Sequence, residues 1–289
     1  MKKELGVERI LEFEPGLEQL IELALQEDLG KGDITTELLI PKEKKAVGRI
    51  IAEEDAILCG IYPAKLVFFK LDSRARIIKA GQDGDEVKKG QVILEIQARA
   101  SALLSGERTA LNFLQHLSGV ATLTQKFVEQ VKHTRAKITA TRKTIPILRG
   151  LQKYAVVVGG GETHRLRLDD GILIKDNHLE ILGDLKKAVE QAKSRAPQGM
   201  PVEVEVESLE DFHKALEAGA DIIMLDNMTS EQLKEVVKQT KGKVLLEASG
   251  GIRLENVREV AESGVDFISV GFLTHSVPAI SFSMHLEPI

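Results

Sequence analysis

The sequence predicts an α/β protein in which a helix and a small β-rich region precede a βα barrel. Three observations carry this expectation. Short alternating apolar runs fill the stretch from Ala46 to Ile96, the pattern of half-buried strands. In the second half, strand-like runs alternate with amphipathic helical segments, and the last four runs recur at roughly 20-residue intervals, the period of a βα unit. Those runs end in polar residues, as the active rim of a barrel requires.

The segment "PGLEQLIELALQEDLGKGD" places Leu17, Leu20, Ile21, Leu23 and Ala24 at helical spacing and then meets Gly30 and Gly32, which predicts a helix closed by a turn. The runs "AVGRIIAEEDAILCG", "ARIIKAG" and "QVILEIQA" read as strands, with the turn-rich "GQDGDEVKKG" between the last two. Carrier domains for biotin or lipoate share this turn-strand arrangement. They present a lysine beside a methionine at a hairpin tip, which is absent here, so the region reads as structural. "ERTALNFLQHLSGVATLTQKFVEQV" predicts one long helix with a bend near Gly119. Six strands follow, at "AKITATRK", "GILIKDN", "VEVEVES", "DIIMLDN", "KVLLEASG" and "DFISVGF". Ser208 and Thr229 stand at N-cap positions with Asp211 and Gln232 three residues on, and Gly219 and Gly264 stand where helices stop.

Composition narrows the class. A net charge of −5 over 289 residues argues against nucleic acid as the main partner. The single Cys59 allows no internal disulfide and no multi-cysteine metal site, which fits a reducing compartment. No run of the length and apolarity needed to span a membrane occurs, and the first residues carry charges where a signal peptide would be apolar. A cytoplasmic location is expected.

The strand ends carry the chemistry. They supply Arg142 and Lys143, then Lys175, Asp176 and Asn177, Glu205 and Glu207, Asp226 and Asn227, Glu247 and Ser249, and Ser269 with Gly271. Two adjacent cations in "ATRKTIP" would be costly at a buried strand end without an anion to meet them. From Arg135 to His178 basic residues dominate, whereas later strand ends bring Glu203, Glu205, Glu207, Asp226 and Glu247. In "VEVEVES" strict alternation puts the three glutamates on one face and the valines on the other. The implied ligand has a strongly anionic part and a hydroxylated or metal-bound part. "EASGGI" and "SVGF" place small residues after consecutive late strands, where backbone N–H groups can approach a phosphate. Among the histidines, His116 and His133 read as structural, His164 beside Arg165 as an anion ligand, and His178 as a holder of loop geometry.

"EDLGKGDITT", "ERTALNFLQHLSG", "TRKTIPILR", "GGGETHRLRLDDGILIKDNH", "VEVEVES", "MLDN", "EASGGI" and "SVGFLTHS", in this order from Leu20 to Leu286, resemble the quinolinate phosphoribosyltransferases. Ser281 departs from the pattern, standing where an acidic residue is expected. The resemblance implies an N-terminal α/β sandwich-like domain over residues 1–116, an open seven-stranded TIM-like α/β barrel over residues 117–274, and a C-terminal segment, 275–289, packing back toward the N-terminal domain. It also implies Mg²⁺ and a homodimer in which the N-terminal domain covers the partner's active site. The implied reaction joins quinolinate to phosphoribosyl pyrophosphate, releasing pyrophosphate and CO2.

By that resemblance, Arg142, His164, Arg165 and Lys175 form the dicarboxylate pocket, Thr144 is a further substrate contact, and Lys143 faces both substrates. Arg108 enters the neighbouring subunit's site. Glu205 and Asp226 hold the ribose hydroxyls or their Mg²⁺. Ser249, Gly250, Gly251 and Gly271, with His275, cradle the 5′-phosphate. Lys143, Glu205 and Asp226 are the catalytic candidates. Two alternatives are a related enzyme acting on another anionic acceptor, separable by assaying several pyridine carboxylates, and a non-catalytic phosphosugar-binding barrel, which would release no pyrophosphate.

Overall fold

The computed structural model describes residues 16–240 and 242–289, which form two compact units. The first comprises residues 16–125, Pro146–Gly160 and Ser276–Ile289; the second comprises Lys126–Ile145 and Gly161–His275.

In the first unit, α1 (Leu17–Leu29) buries Ile21 and Leu25 and stops at Gly30, whose positive φ of 54° suits glycine. A short helix, α2 (Ile34–Leu39), follows, its N-cap Asp33 accepting a hydrogen bond from the Thr36 N–H at 3.0 Å. The first strands are β1 (Lys45–Ala52) and β2 (Ala56–Ile57). Next come α3 (Ile61–Leu71), β3 (Arg76–Ala80), β4 (Glu86–Val87) and β5 (Val92–Arg99). One long helix, α4 (Ala100–Val131), runs without interruption through Gly119. That glycine has a packing reason: a Cβ there would lie 2.3 Å from the Pro278 carbonyl oxygen. The antiparallel sheet is completed by the last strand, β13 (Phe282–Pro288), in the order β13-β1-β5-β3. Its inner face joins Ile50, Leu94, Ile96 and Phe282 to Phe68, Leu103 and Leu111 in one apolar core.

In the second unit, β6 (Lys137–Ala140) opens a parallel sheet, and α5 (Arg149–Val158), which follows it in sequence, belongs to the first unit. The sheet continues through β7 (Glu162–Thr163), β8 (Ile172–Ile174), β9 (Val202–Val206), β10 (Ile222–Asp226), β11 (Leu245–Ser249) and β12 (Phe267–Ser269). Its helices are α6 (Asp176–Leu182), α7 (Leu185–Arg195), α8 (Leu209–Glu217), α9 (Ser230–Thr240), α10 (Val257–Glu262) and α11 (Phe272–His275). The caps are as the sequence suggests. Ser208 Oγ accepts from the Asp211 N–H at 3.1 Å, and Thr229 and Gln232 exchange reciprocal bonds of 2.8 and 3.3 Å. Gly219 and Gly264 follow α8 and α10 with φ of 77° and 97°.

Strand order in this sheet is β7-β6-β12-β11-β10-β9-β8. It curls into a barrel: His164, just after the edge strand β7, reaches within 2.7 Å of Glu203 on β9, next to the opposite edge. The two edges, β7 and β8, are not paired with each other, so the barrel is open along that seam. Seven strands are present where the runs of residues alone suggest six. The seventh, β7, is only two residues long and follows the glycine triplet Gly159–Gly161, too short to show a period. Gly159 closes α5, where a Cβ would meet the Ala121 carbonyl oxygen at 2.4 Å.

Candidate active site

The C-terminal ends of the seven strands surround a cavity of about 330 Å³. Its wall consists of Thr141, Arg142, Lys143, His164, Arg165, Leu173, Lys175, Glu205, Met224, Asp226, Ser249 and Ser269. The sequence-predicted Arg142, Lys143, His164, Arg165, Lys175, Glu205, Asp226 and Ser249 therefore meet at one place. Going round the sheet from β7, the rim presents His164 and Arg165, then Arg142 and Lys143, and then Ser269. It continues with Ser249, Asp226, Glu205 and finally Lys175 on β8. Cations flank both sides of the seam, small residues occupy the middle strands, and carboxylates lie between.

Local geometry explains each placement. Beyond β6 the chain tightens: the Lys143 N–H donates to Thr141 Oγ1 at 3.0 Å and the Thr144 N–H to the Arg142 carbonyl at 2.9 Å. Arg142 Nε is buried and has no hydrogen-bond partner among the described residues. An unmatched donor on a buried guanidinium is costly unless a ligand takes it. Arg165 donates to the Gly171 carbonyl at 3.1 Å. Burial, and then the neighbouring Arg142 charge, hold the Arg165 guanidinium below its ordinary pKa, while Glu203 opposes them. Two guanidiniums pressed together in this way favour an arriving anion.

Lys175 directly precedes α6, and its N–H donates to His178 Nδ1 at 2.9 Å, the loop-holding part expected of His178. Its ammonium donates to Glu205 Oε2. Asp226 ends β10, and Asn227, in the left-handed region at φ 54°, donates from Nδ2 to Asp226 Oδ2 at 2.7 Å. The same asparagine packs on Gly250, where a Cβ would sit 2.2 Å from Asn227 Oδ1. Gly250 and Gly251 have φ of 83° and 60°, so their left-handed backbone has a reason to be glycine. Gly271 lies against Lys143 and His275: a Cβ there would be 3.1 Å from Lys143 Cδ and 3.2 Å from His275 Nε2. Thr274 Oγ1 donates to the Lys143 carbonyl at 2.7 Å, tying the loop after β12 to the loop after β6.

Thr144, Gly250, Gly251 and Gly271 lie in the same strand-end loops, and His275 ends α11, without forming the cavity wall. Arg108 stands exposed on α4 in the first unit. His116 and His133, read from the sequence as structural, make contacts away from the cavity wall. His116 Nε2 lies 2.9 Å from Gln152 Nε2, with its pKa lowered by burial, and His133 Nε2 lies 3.1 Å from Glu262 Oε1. The Ser281 N–H donates to Glu54 Oε1 at 2.9 Å. Sequence reasoning gave no part to Thr141, Leu173 and Met224. Register could have found Met224, which pairs with Glu205 on one side and Glu247 on the other. Leu173 and Met224 give an otherwise charged cavity an apolar surface suited to a flat ring.

Comparison with known proteins agrees with this geometry. The family model for the quinolinate phosphoribosyl transferase C-terminal domain matches residues 120–285, and that for the N-terminal domain matches residues 33–118. A probable nicotinate-nucleotide pyrophosphorylase [carboxylating] of Methanocaldococcus jannaschii is 44% identical over 277 residues, covering 93% of this chain and 96% of the relative. The nicotinate-nucleotide pyrophosphorylase [carboxylating] of Mycobacterium leprae is 43% identical, covering 92% and 95%. Among solved structures, NadC of Streptococcus pyogenes superposes with a TM-score of 0.90 at 40% identity, covering 94% of this chain and 96% of that one. With both family models matched in sequence order and near-complete coverage on each side, the chain belongs to the quinolinate phosphoribosyltransferase family.

Proposed function

We propose that the protein transfers the phosphoribosyl group of phosphoribosyl pyrophosphate to quinolinate with decarboxylation, giving nicotinate mononucleotide, pyrophosphate and CO2 for NAD biosynthesis. The observation that carries this reading is the convergence of Arg142, Lys143, His164, Arg165 and Lys175 on one cavity that also holds Glu205 and Asp226. Quinolinate brings two adjacent carboxylates, and planar guanidinium forks suit them through paired, charge-assisted hydrogen bonds. The order of groups round the rim supports separate places for the two substrates. The diacid faces the cations beside the seam, and the 5′-phosphate faces Ser249, Gly250, Gly251, Gly271 and His275. The ribose hydroxyls lie over Asp226 and Glu205, with Thr144 adding a substrate contact.

The ring nitrogen forms a bond to the anomeric carbon as the bond to pyrophosphate breaks, through a transition state with oxocarbenium character. Glu205 and Asp226 favour the positive charge that develops on the sugar, and Lys143 favours the negative charge that departs. The quaternised nitrogen then accepts the electron pair released when the adjacent carboxylate leaves as CO2, and the ring carbon takes a proton from solvent. Glu205 and Asp226 also fit Mg²⁺: they are hard oxygen donors at the cavity wall, suited to a cation that arrives with its substrate phosphates. When bound, that ion neutralises pyrophosphate charge.

A homodimer belongs to the same proposal, with the exposed Arg108 serving the partner's cavity, as does a cytoplasmic location. Among the described residues no helix is long and apolar enough to cross a membrane. The test supplies phosphoribosyl pyrophosphate and Mg²⁺ with quinolinate, nicotinate or another pyridine carboxylate, and measures pyrophosphate and CO2. Release of both with quinolinate alone is expected. Equal turnover of nicotinate, or no pyrophosphate with any acceptor, sinks the reading.

A further inference from the structure

Beneath the cavity the barrel interior holds charges that phosphoribosyl transfer leaves unexplained. Glu203 and Glu247 are only 3% and 1% exposed. Barrel interiors are ordinarily filled by branched apolar side chains, and the register neighbours of Glu203 are indeed Leu173 and Ile222. Burying two carboxylates there costs several kcal/mol per ion unless partners compensate.

Their contacts converge on one ring. His164 Nε2 lies 2.7 Å from Glu203 Oε2 and 3.7 Å from Glu247 Oε2. Ser269 Oγ donates to Glu247 Oε1, and Thr139 Oγ1 stands 2.9 Å from Ser269 Oγ, which fixes Glu247 in turn. Glu203 Oε1 is buried without a hydrogen-bond partner among the described residues, so hydrogen bonding by this carboxylate runs through the oxygen that faces His164. Its charge also favours the neighbouring Arg165 guanidinium. His164 and Arg165 border both the active cavity and an inner cavity of about 210 Å³ lined by Glu203, Glu247 and Thr139.

We propose that Glu203 and Glu247 are positioning residues for the acceptor: they clamp His164 from inside the barrel, so that the imidazole stands ready for a carboxylate of quinolinate before the substrate arrives. The inference rests on the reading of His164 as an acceptor ligand. Neither glutamate forms the wall of the active cavity, so each acts through His164. Preorganisation of this kind shows in acceptor binding and leaves the phosphoribosyl donor alone.

Steady-state kinetics with both substrates test it. Glu203→Leu, which matches the apolar side chains on either side, is expected to raise KM for quinolinate about tenfold, with KM for phosphoribosyl pyrophosphate unchanged within about twofold. Glu203→Gln, which keeps an oxygen to accept from Nε2–H, is expected to recover most of that loss. The melting temperature of the Gln variant should stay closer to wild type than that of the Leu variant, since loss of one partner leaves the other uncompensated. In a His164→Ala background, adding Glu203→Leu should change KM for quinolinate by less than about twofold. Multiplicative losses in that double variant, or equal rises in both KM values, overturn the proposal. If Glu203→Leu does not fold, Glu247→Gln carries the same comparison. A His164→Ala protein with wild-type KM for quinolinate removes the site assignment, and the inference with it. The three groups also lie within 4.8 Å of one another, close enough to hold a metal ion. One equivalent of metal retained by the purified protein and lost in Glu247→Gln would make the cluster a metal site and overturn the positioning role.

Discussion

The antiparallel sheet of the first unit and the barrel of the second both pair acidic with basic side chains across strands, but they aim them in opposite directions. On the first sheet Arg49 bridges Glu95 at 2.8 Å and Glu287 at 2.5 Å on the solvent face, while the opposite face buries Ile50, Leu94 and Ile96. Pairs of that kind add little to stability, because water screens them and long side chains must be ordered to make them. In the barrel, Glu203, Glu247 and His164 turn inward, and Glu205 meets Lys175 at the cavity wall. Interior charge is expensive, and apolar residues would pack the same positions at least as well. The contrast separates charge placed for solubility from charge kept for a ligand.

Four substitutions can break or sharpen that contrast. The largest effect is expected from Arg142→Ala, which removes a half-buried guanidinium with a buried, unmatched Nε. Loss of kcat/KM for quinolinate should be roughly a hundredfold or more, with the melting temperature unchanged or raised. Near wild-type turnover would show that inward charge in the barrel is not there for the acceptor. Next is Gly250→Ala, which forces a side chain onto a left-handed backbone and against Asn227 Oδ1. The strain, about 1–3 kcal/mol, should pass to Asp226 and the phosphate loop and raise KM for phosphoribosyl pyrophosphate more than KM for quinolinate.

In the first unit the same kind of change should strike stability instead. Gly119→Ala drives a methyl group toward the Pro278 carbonyl and is expected to cost about 1–3 kcal/mol in chemical denaturation. Residual folded enzyme should keep its kcat. A fall in kcat with unchanged stability would blur the division between the units. The smallest effect belongs to Arg49→Ala: a barely measurable shift in melting temperature and none in kinetics.

The same contrast governs what could be read from the sequence. Strands β9, β10 and β11 announce themselves because β9 alternates valine with glutamate over five positions, β10 and β11 open on apolar residues and end in polar ones, and helices separate them. The candidate site was legible for a related reason: a barrel places its chemistry at strand ends, and those ends could be located. β7, with two residues, carries too few positions for any period, whereas the three residues of β8 lie within the apolar run "GILIKDN". Nor does a local pattern say that α5 belongs to the first unit, since Gly159 meets Ala121 across a long stretch of chain. The clamp on His164 was hidden for the deepest reason. Glu203 and Glu247 read as strand-end acids, and only closure of the sheet brings residues 164, 203 and 247 to one point.

The seam between β7 and β8 carries a consequence for heat resistance. A ring that lacks one row of backbone bonds is weakest there, and the residues proposed to hold the acceptor hang from both lips: His164 and Arg165 follow one, Lys175 the other. A diacid held in the proposed way, from both sides, would act as a clasp across the gap. Occupancy and ring integrity then become one linked equilibrium, worth about 2.7 kcal/mol when quinolinate stands at a hundred times its dissociation constant. The enzyme is at its sturdiest when its acceptor is abundant, and a cell that runs short of the diacid holds a more fragile protein.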